Sequence, residues 1–299
     1  MIKDNFAIAG FQINIPSNPE VDGYNNIARM EQGLIDLIAI YPWVNMAVFS
    51  ELCAFGPMTK YSNNYTFALD QFCKMAKKYN IWLLPGTLYE EHNGDIYNTA
   101  PVIRPDGSIQ GLYRKMFPWY PYEEGVTPGN EFFTFDIEEV GKFSILVCYD
   151  AWQPELWRSL ACEGVGVVLN PTMTDGIDLS VERSIIHAMA AINQMYVFHV
   201  NGLGGVAGSC GWGESLVVGP DGCILHHAGS REEMFPVEID FNCVAQSRME
   251  GVLYLDQSLK SFRDRPVKAY DVYDEGPDKY TEYLNSLGPL IKPPKRILR

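Results

Sequence analysis

Apolar positions along the chain follow two spacings, one typical of helices and one typical of strands. In residues 25–40, Ile27, Met30, Leu34 and Leu37 recur every three or four residues, which predicts a helix with one buried face. Short runs rich in β-branched and aromatic residues predict strands instead. The predicted helices are 25–40, 66–79, 154–163 and 179–194. The predicted strands are 6–15, 44–50, 81–88, 96–104, 132–137, 142–148, 165–169, 195–201, 215–218, 223–227 and 234–241.

Strands that alternate with helices predict an α/β layered fold. Several strands are separated only by turns, such as Gly219-Pro220-Asp221-Gly222, so we expect mixed sheets. No linker, repeat or low-complexity tract interrupts the pattern, which favours one domain over residues 1–250. From about Tyr254 onward the pattern fades. We expect residues 251–299 to form a C-terminal arm that packs on the domain or on a partner subunit.

Composition and net charge argue against some classes of binding partner. With 299 residues, 47% of them hydrophobic, the chain can bury a large core. Its net charge of −14 argues against nucleic acid or an anionic membrane as the main partner. The chain shows neither the apolar region of a signal peptide nor a run of roughly 20 apolar residues that could span a membrane. The seven cysteines are scattered without zinc spacing, so we expect a reduced, cytoplasmic protein without a structural metal.

Three polar residues follow apolar, strand-like runs. Glu51 follows residues 47–50, Lys115 follows 111–114, and Cys148 follows 144–147. Because sites in layered α/β folds gather at the carboxyl ends of strands, these side chains could converge on one pocket. A carboxylate shielded from water can deprotonate a thiol, and a nearby ammonium favours the thiolate and can stabilise an oxyanion. Taken singly, a core cysteine, a surface lysine and a capping glutamate would be ordinary; their joint occurrence favours catalysis.

The segments around these residues resemble the three signature segments of the carbon–nitrogen hydrolase (nitrilase) superfamily, in the family's order. The segments are Ser50-Glu51-Leu52, Tyr113-Arg114-Lys115 with Pro118-Trp119, and Cys148-Tyr149-Asp150 with Pro154-Glu155. The resemblance extends from Phe6 to about Arg248. It implies a four-layer αββα sandwich with two mixed β-sheets. It also implies assembly, so we expect a homodimer or a higher even-numbered homo-oligomer.

The resemblance also implies a role for each residue. Glu51 would be the general base, Lys115 the oxyanion stabiliser and Cys148 the nucleophile. The backbone N–H of Tyr149 would help Lys115 to hold the oxyanion. The reaction would pass through a thioester, release ammonia and a carboxylic acid, and require no metal or organic cofactor.

Members of this family often carry a second glutamate downstream of the lysine. Residues 118–125 look most like the aliphatic amidase and formamidase branch, which carries a Pro-Trp-x-Pro-x-Glu segment. Counting from Lys115 selects Glu123, whereas counting back from Pro128-Gly129 selects Glu124. We expect Glu123 to be the supporting residue and Glu124 to be a solvated loop carboxylate.

Five further residues are candidates for the walls of the pocket. Four of them lie close in sequence to the lysine or the cysteine and could make the walls aromatic: Trp119, Tyr120, Tyr149 and Trp152. Met173 lies in residues 170–175, the loop that lines the substrate pocket in this family. Packing in the core is the alternative for each of them.

The residues after the cysteine bear on the substrate. Tyr149-Asp150 stands where true nitrilases typically show Trp-Glu, which favours an amide over a nitrile. We therefore predict hydrolysis of a small linear amide. The alternatives are a nitrile-processing enzyme, a non-enzymatic scaffold, and an N-carbamoyl (ureido) amidohydrolase. The ureido enzyme would need an arginine facing the pocket, for which Arg183 is the best candidate.

Overall fold

Two mixed β-sheets lie face to face in the computed structural model, which describes residues 6–15, 19–120, 123–176, 178–204, 211–251, 253–265 and 281–289. The strands of the first sheet are β1 (Phe6–Gln12), β3 (Met46–Phe49), β4 (Trp82–Leu84), β5 (Leu88–His92), β6 (Asp95–Ile103), β7 (Ile109–Arg114) and β15 (Glu233–Ile239). They follow the spatial order β15-β1-β3-β4-β6-β5, with β7 also paired to β6. β1 pairs in parallel with β3 and antiparallel with β15, so the sheet is mixed.

The second sheet contains six strands. They are β8 (Thr134–Ile137), β9 (Gly141–Ile145), β10 (Val167–Thr172), β11 (Tyr196–Asn201), β13 (Leu216–Val218) and β14 (Ile224–His227). Their spatial order is β14-β13-β11-β10-β9-β8, with parallel pairing around β10 and antiparallel pairing at both ends. Two short strands, β2 (Asn14–Ile15) and β12 (Leu203–Gly204), pair beside the two sheets.

Helices cover the outer face of each sheet. α1 (Pro19–Ile40) and α2 (Tyr65–Tyr79) share a buried apolar cluster with the first sheet. α3 (Pro154–Cys162) and α4 (Leu179–Asn193) share another with the second sheet. A third cluster, which includes Phe6, Phe143 and Phe198, fills the space between the sheets. These layers confirm the predicted four-layer αββα sandwich, and they explain why every residue of β1 is buried.

Two predicted boundaries at the site are wrong. The strand predicted to run to Cys148 ends at Ile145, and Cys148 begins a 3₁₀ helix, Cys148–Trp152. Asn170, Pro171 and Thr172, predicted as loop, continue β10 because they pair with residues 199–201 of β11. A loop and a buried strand end both tolerate polar residues, so the sequence pattern does not separate them.

After β15, the described part of the chain contains three helices: α5 (Phe241–Glu250), α6 (Ser258–Asp264) and α7 (Thr281–Ser286). The sequence pattern did not predict α5, whose one buried residue is Val244; its N-cap is Asp240, whose carboxylate accepts a 2.8 Å hydrogen bond from the Asn242 N–H. Ser258 Oγ donates to the Ile192 carbonyl over 2.7 Å, so this part of the C-terminal segment contacts α4. The division into a domain and an arm at residue 250 stays a prediction. Within the described ranges, no helix combines the length and apolarity needed to cross a membrane.

Candidate active site

The ends of strands from both sheets bring the predicted residues together. Glu51 follows β3 and Lys115 follows β7, both in the first sheet. The Glu51 N–H donates to the carbonyl oxygen of Thr172, the last residue of β10 in the second sheet, over 3.3 Å. The turn that carries Cys148 follows β9, the neighbour of β10. The candidate site therefore lies where the two sheets meet.

Lys115 lies between two carboxylates in the interior. Its Nζ is 2.9 Å from Glu51 Oε1 and 2.6 Å from Glu123 Oε2, and 1% of the lysine is exposed. Glu123 Oε2 also accepts from the Trp119 N–H over 2.7 Å. Glu123, rather than the exposed Glu124, therefore takes the inward position, as the count from the lysine predicted.

Asn98 joins the same cluster, although sequence reasoning missed it. Its Nδ2 donates to Glu51 Oε1 over 2.8 Å and to Glu123 Oε1 over 2.7 Å. Its backbone carbonyl accepts from the Lys115 N–H over 2.9 Å. The available signal was a polar residue in the middle of β6, whose last six residues are all buried. Asn98 fixes both carboxylates relative to the lysine.

Cys148 adopts a backbone conformation that side chains rarely take. Its φ is +46°, in the left-handed region, and 8% of the residue is exposed. For a residue other than glycine this conformation costs free energy, and such residues concentrate at functional sites. Its Sγ lies 4.0 Å from Thr174 Oγ1.

Asp150 links the turn of Cys148 to the segment of Lys115. Its Oδ2 accepts from the Tyr113 hydroxyl over 2.8 Å and from the Val147 N–H over 3.0 Å. Its Oδ1 accepts from the N–H groups of Met116 and Phe117, over 3.1 and 2.8 Å. Burial raises the pKa of Asp150 to about 7, against the opposing effects of Lys115 and these donors. Three of these hydrogen bonds hold the turn of Cys148 against the segment of Lys115, and the fourth lies within the turn.

The charges of the cluster determine the resting state of the thiol. Burial lowers the pKa of Lys115, but Glu123 and Glu51 outweigh burial and hold it well above its ordinary value. Burial, and then Glu51, raise the pKa of the Cys148 thiol well above its ordinary value. Two carboxylates and one ammonium already leave a net negative charge, so a thiolate would add a second. A thiolate is therefore disfavoured at rest, and a reaction through this sulfur would need a base, as the sequence analysis expects.

Glu51 can act as that base. Burial raises its pKa, Lys115 lowers it, and a hydrogen bond from the Cys148 thiol also lowers it. A carboxyl group with a raised pKa is a stronger proton acceptor and can later return the proton to a leaving group. Glu51 and the Cys148 thiol line the same cavity.

A cavity of about 160 Å³ opens above these groups. Besides Glu51, Lys115, Glu123 and Cys148, it is lined by Leu52, Pro57, Met58, Tyr89, Trp119 and Met173. At roughly 30 Å³ for each water molecule of the liquid, this space holds only a few heavy atoms. The cavity fits a small organic molecule with a mostly apolar chain.

A smaller recess of about 20 Å³ adjoins the cavity. Tyr149 and Trp152 line the recess, which shares Trp119, Met173 and Cys148 with the main cavity. Four of the five predicted wall residues therefore lie beside the thiol, Trp119 and Met173 in both spaces. The prediction for Tyr120 is wrong, because this side chain is exposed and lines neither space. Arg183 has a different environment, since its guanidinium pairs with Glu214 and lies 3.2 Å from His227 Nε2.

Behind the thiol, the sequence analysis also missed a buried carboxyl group on α4. Thr172 Oγ1 lies 3.2 Å from Thr174 Oγ1 and donates to Glu182 Oε1 over 3.2 Å. Glu182 is fully buried, and burial raises its pKa to about 7. Within the described part of the chain, no group of three or more histidine, cysteine, aspartate or glutamate residues could hold a metal ion.

The sequence profile of the "Carbon-nitrogen hydrolase" family matches residues 8–249. An N-carbamoylputrescine amidase of Solanum lycopersicum is 28% identical over 203 residues, which cover 61% of this chain and 67% of that protein. An omega-amidase of Homo sapiens is 28% identical over 210 residues, covering 67% of this chain and 73% of its own.

The crystal structure of a carbon–nitrogen hydrolase from Helicobacter pylori G27 has the same fold. It superposes with a TM-score of 0.78 at 24% identity and covers 90% of this chain and 98% of its own. The match confirms the sandwich architecture that the sequence predicted.

Proposed function

This chain belongs to the carbon–nitrogen hydrolase family, and we propose that it hydrolyses small linear amides through a thioester on Cys148. The observation that carries the proposal is the buried Lys115, held by Glu51 and Glu123 at the base of the cavity that contains the thiol. The name of the omega-amidase supports an amide as the substrate class, whereas the name of the N-carbamoylputrescine amidase supports the ureido alternative.

In the first half of the reaction, Glu51 takes the thiol proton while Cys148 Sγ attacks the amide carbonyl carbon. The carbonyl oxygen becomes an oxyanion, which the Lys115 ammonium stabilises together with the Tyr149 N–H. The protonated Glu51 then gives its proton to the amide nitrogen as the C–N bond breaks. Ammonia leaves, and the acyl group stays on the sulfur as a thioester.

In the second half, water replaces ammonia beside Glu51. The carboxylate takes a proton from the water as its oxygen attacks the thioester carbonyl, and Lys115 again stabilises the oxyanion. Cleavage of the C–S bond releases the carboxylic acid, and the sulfur regains its proton. Asn98 keeps Lys115 and Glu51 in register throughout, because it bonds the Glu51 carboxylate and the backbone N–H of Lys115. Glu123 supports this arrangement through its bonds to Lys115 and Asn98.

The ureido alternative has less support from the site. A substrate with a carboxylate would need a cation in the cavity, and the proposed Arg183 is already paired with Glu214. The cluster's own cation, Lys115, is paired with two carboxylates. The site therefore favours an acyl group without negative charge.

A substrate panel tests the proposal directly. Ammonia release is measured with propionamide, butyramide, N-carbamoyl-β-alanine and butyronitrile. We expect release from the two amides, and we expect Cys148→Ser to lower kcat/KM at least about a thousandfold because an alcohol is a poorer nucleophile. The control is Cys223→Ser, which removes an exposed thiol and should keep wild-type activity.

Two results would reject the proposal. One is a panel in which neither amide releases ammonia while the ureido acid or the nitrile reacts. The other is substantial activity in Cys148→Ser. Mass spectrometry of the wild-type enzyme during turnover adds a direct readout, since the acyl group should appear on the peptide that contains Cys148.

A further inference from the structure

Tyr89 lines the active-site cavity, and its hydroxyl group is buried without a hydrogen-bond partner among the residues that the structure describes. Only 4% of Tyr89 is exposed. Burying a hydroxyl without a partner costs free energy, and a phenylalanine would fill the same space without that cost. The cavity that Tyr89 lines is the space from which a partner for this hydroxyl can come.

The fold holds this hydroxyl group in a defined place. Tyr89 lies in β5 and pairs directly with Asn98 of β6. Opposite residues of an antiparallel pair point to the same face, so the phenol ring lies on the side of the sheet where Asn98 binds Glu51 and Glu123. Packing against Leu52 and Val126 fixes the ring. The phenol is therefore preorganised beside the reacting groups.

The charges around Tyr89 limit what the phenol can bind. Burial raises its pKa well above the ordinary value, and Glu123 and Glu51 raise it further, so the phenol keeps its proton. The same two carboxylates repel a negatively charged group on the substrate. The hydroxyl can donate to an uncharged oxygen, and it can accept from a hydroxyl group.

The other residues that line the cavity limit the chemical groups of the substrate further. Leu52, Pro57, Met58 and Met173 offer apolar contact to a short carbon chain. A chain of carbons alone would satisfy these walls and would leave the phenol without a partner. An acyl chain that carries one hydroxyl or carbonyl oxygen would satisfy both.

We propose that Tyr89 is a specificity-determining residue, whose phenol hydrogen-bonds an uncharged oxygen on the acyl chain of the substrate. The substrate class is then a small amide with a hydroxyl or carbonyl group in its acyl part. This inference rests on the proposed amidase function. A site built to bond a substrate hydroxyl discriminates strongly against the analogue that lacks it, because its own polar group is then left unpaired.

Pairs of amides that differ by one replacement of hydroxyl with methyl test the inference. The pairs are lactamide with isobutyramide and 3-hydroxypropionamide with butyramide. We expect wild-type kcat/KM to be about tenfold or more higher for the hydroxyl member of at least one pair. In Tyr89→Phe that ratio should fall close to one, because the hydroxyl member loses its bond.

Tyr65→Phe is the matched control. It also removes a buried hydroxyl without a partner among the described residues, but away from the two spaces above Cys148. Its ratio should equal that of the wild type. The inference is wrong if Tyr89→Phe keeps the wild-type ratio, or if it slows both members of each pair equally.

A binding measurement separates this inference from the proposed function. Calorimetry on Cys148→Ala, with and without Tyr89→Phe, gives the Kd of each intact amide. We expect the hydroxyl amide to bind at least about fivefold more weakly once the phenol is removed; equal Kd values would overturn the inference. If wild-type enzyme hydrolyses none of the four amides yet this difference in Kd is present, the proposed function fails and the role of Tyr89 in binding stands.

Discussion

At the scale of single residues, the site depends on one lysine with two carboxylate partners. A buried ammonium needs charged or strongly polar partners. If Glu51 were the sole carboxylate partner of Lys115, the ammonium would neutralise its charge. Glu123 supplies a second carboxylate to Lys115, and in the proposed mechanism this leaves Glu51 able to accept the thiol proton. In that mechanism, Glu123 therefore affects Glu51 through Lys115, which both carboxylates contact.

The neighbouring pair of glutamates allows this role to be tested. We predict that Glu123→Gln lowers kcat/KM about 100-fold, because Lys115 then pairs with Glu51 alone and the electrostatic balance of the site is lost. Glu124→Gln should stay within about twofold of wild type, since Glu124 is exposed. Steady-state kinetics with one amide substrate measures both. Equal losses in the two variants would contradict the assignment.

At the scale of elements, the position of Glu51 depends on the connection between β4 and β5. Gly86 in this connection has φ +77°, and a Cβ there would lie 1.9 Å from the Ser50 carbonyl oxygen. The chain therefore passes directly against the residue before Glu51. Only glycine permits both the conformation and the approach.

Two alanine substitutions separate the conformation from the contact. Gly94 has a similar φ of +88°, and a Cβ there would meet nothing within 4 Å, so Gly94→Ala should cost about 1 kcal/mol of unfolding free energy and keep activity. Gly86→Ala should cost more and should lower kcat/KM at least about tenfold, because the clash displaces Glu51. Denaturant unfolding and kinetics measure the two effects. Equal behaviour of the two variants would show that the close approach has no role.

At the scale of the whole molecule, the sandwich buries carboxyl groups whose titration couples stability to pH. Glu182 has an ordinary pKa of 4.5, which burial raises to about 7 in the folded chain. Between these pH values the folded state binds more protons than the unfolded state. The contribution of Glu182 to the unfolding free energy is therefore fully present below pH 4.5, and it is lost as the pH rises through 7.

Glu182→Gln removes this titration. We predict that the unfolding free energy of the variant minus that of wild type increases from pH 5 to pH 8. A pKa shift of this size limits the increase to about 3 kcal/mol. Urea unfolding at the two pH values measures the change. Glu138→Gln, an exposed site, is the control and should parallel the wild type. A gain in Glu138→Gln as large as that in Glu182→Gln would contradict the buried origin of the effect.

Assembly and location also belong to this scale, and both stay predictions. The expected even-numbered homo-oligomer can be measured by light scattering on the purified chain. The described part of the C-terminal segment already contacts α4 through Ser258, so it contributes to the surface around that helix.

The sequence by itself determined the fold class, and it predicts the three residues that take part in the proposed reaction. Spacing of apolar residues identifies strands and helices locally, and Glu51, Lys115 and Cys148 each stand close after such a run in the order of a known family. It could not show that Cys148 lies three residues beyond its strand with positive φ, because the end of a buried strand carries no local signal.

Only the tertiary structure decided which residues surround the reacting groups. The choice of Glu123 over Glu124, the bridging by Asn98 and the unpartnered phenol of Tyr89 all depend on contacts between distant segments, such as Asn98 with Glu51, 47 residues apart. The physical reason is that burial and charge pairing are properties of the assembled layers. A polar residue inside an apolar run becomes a partner, a base or a binding group only when packing sets its neighbours.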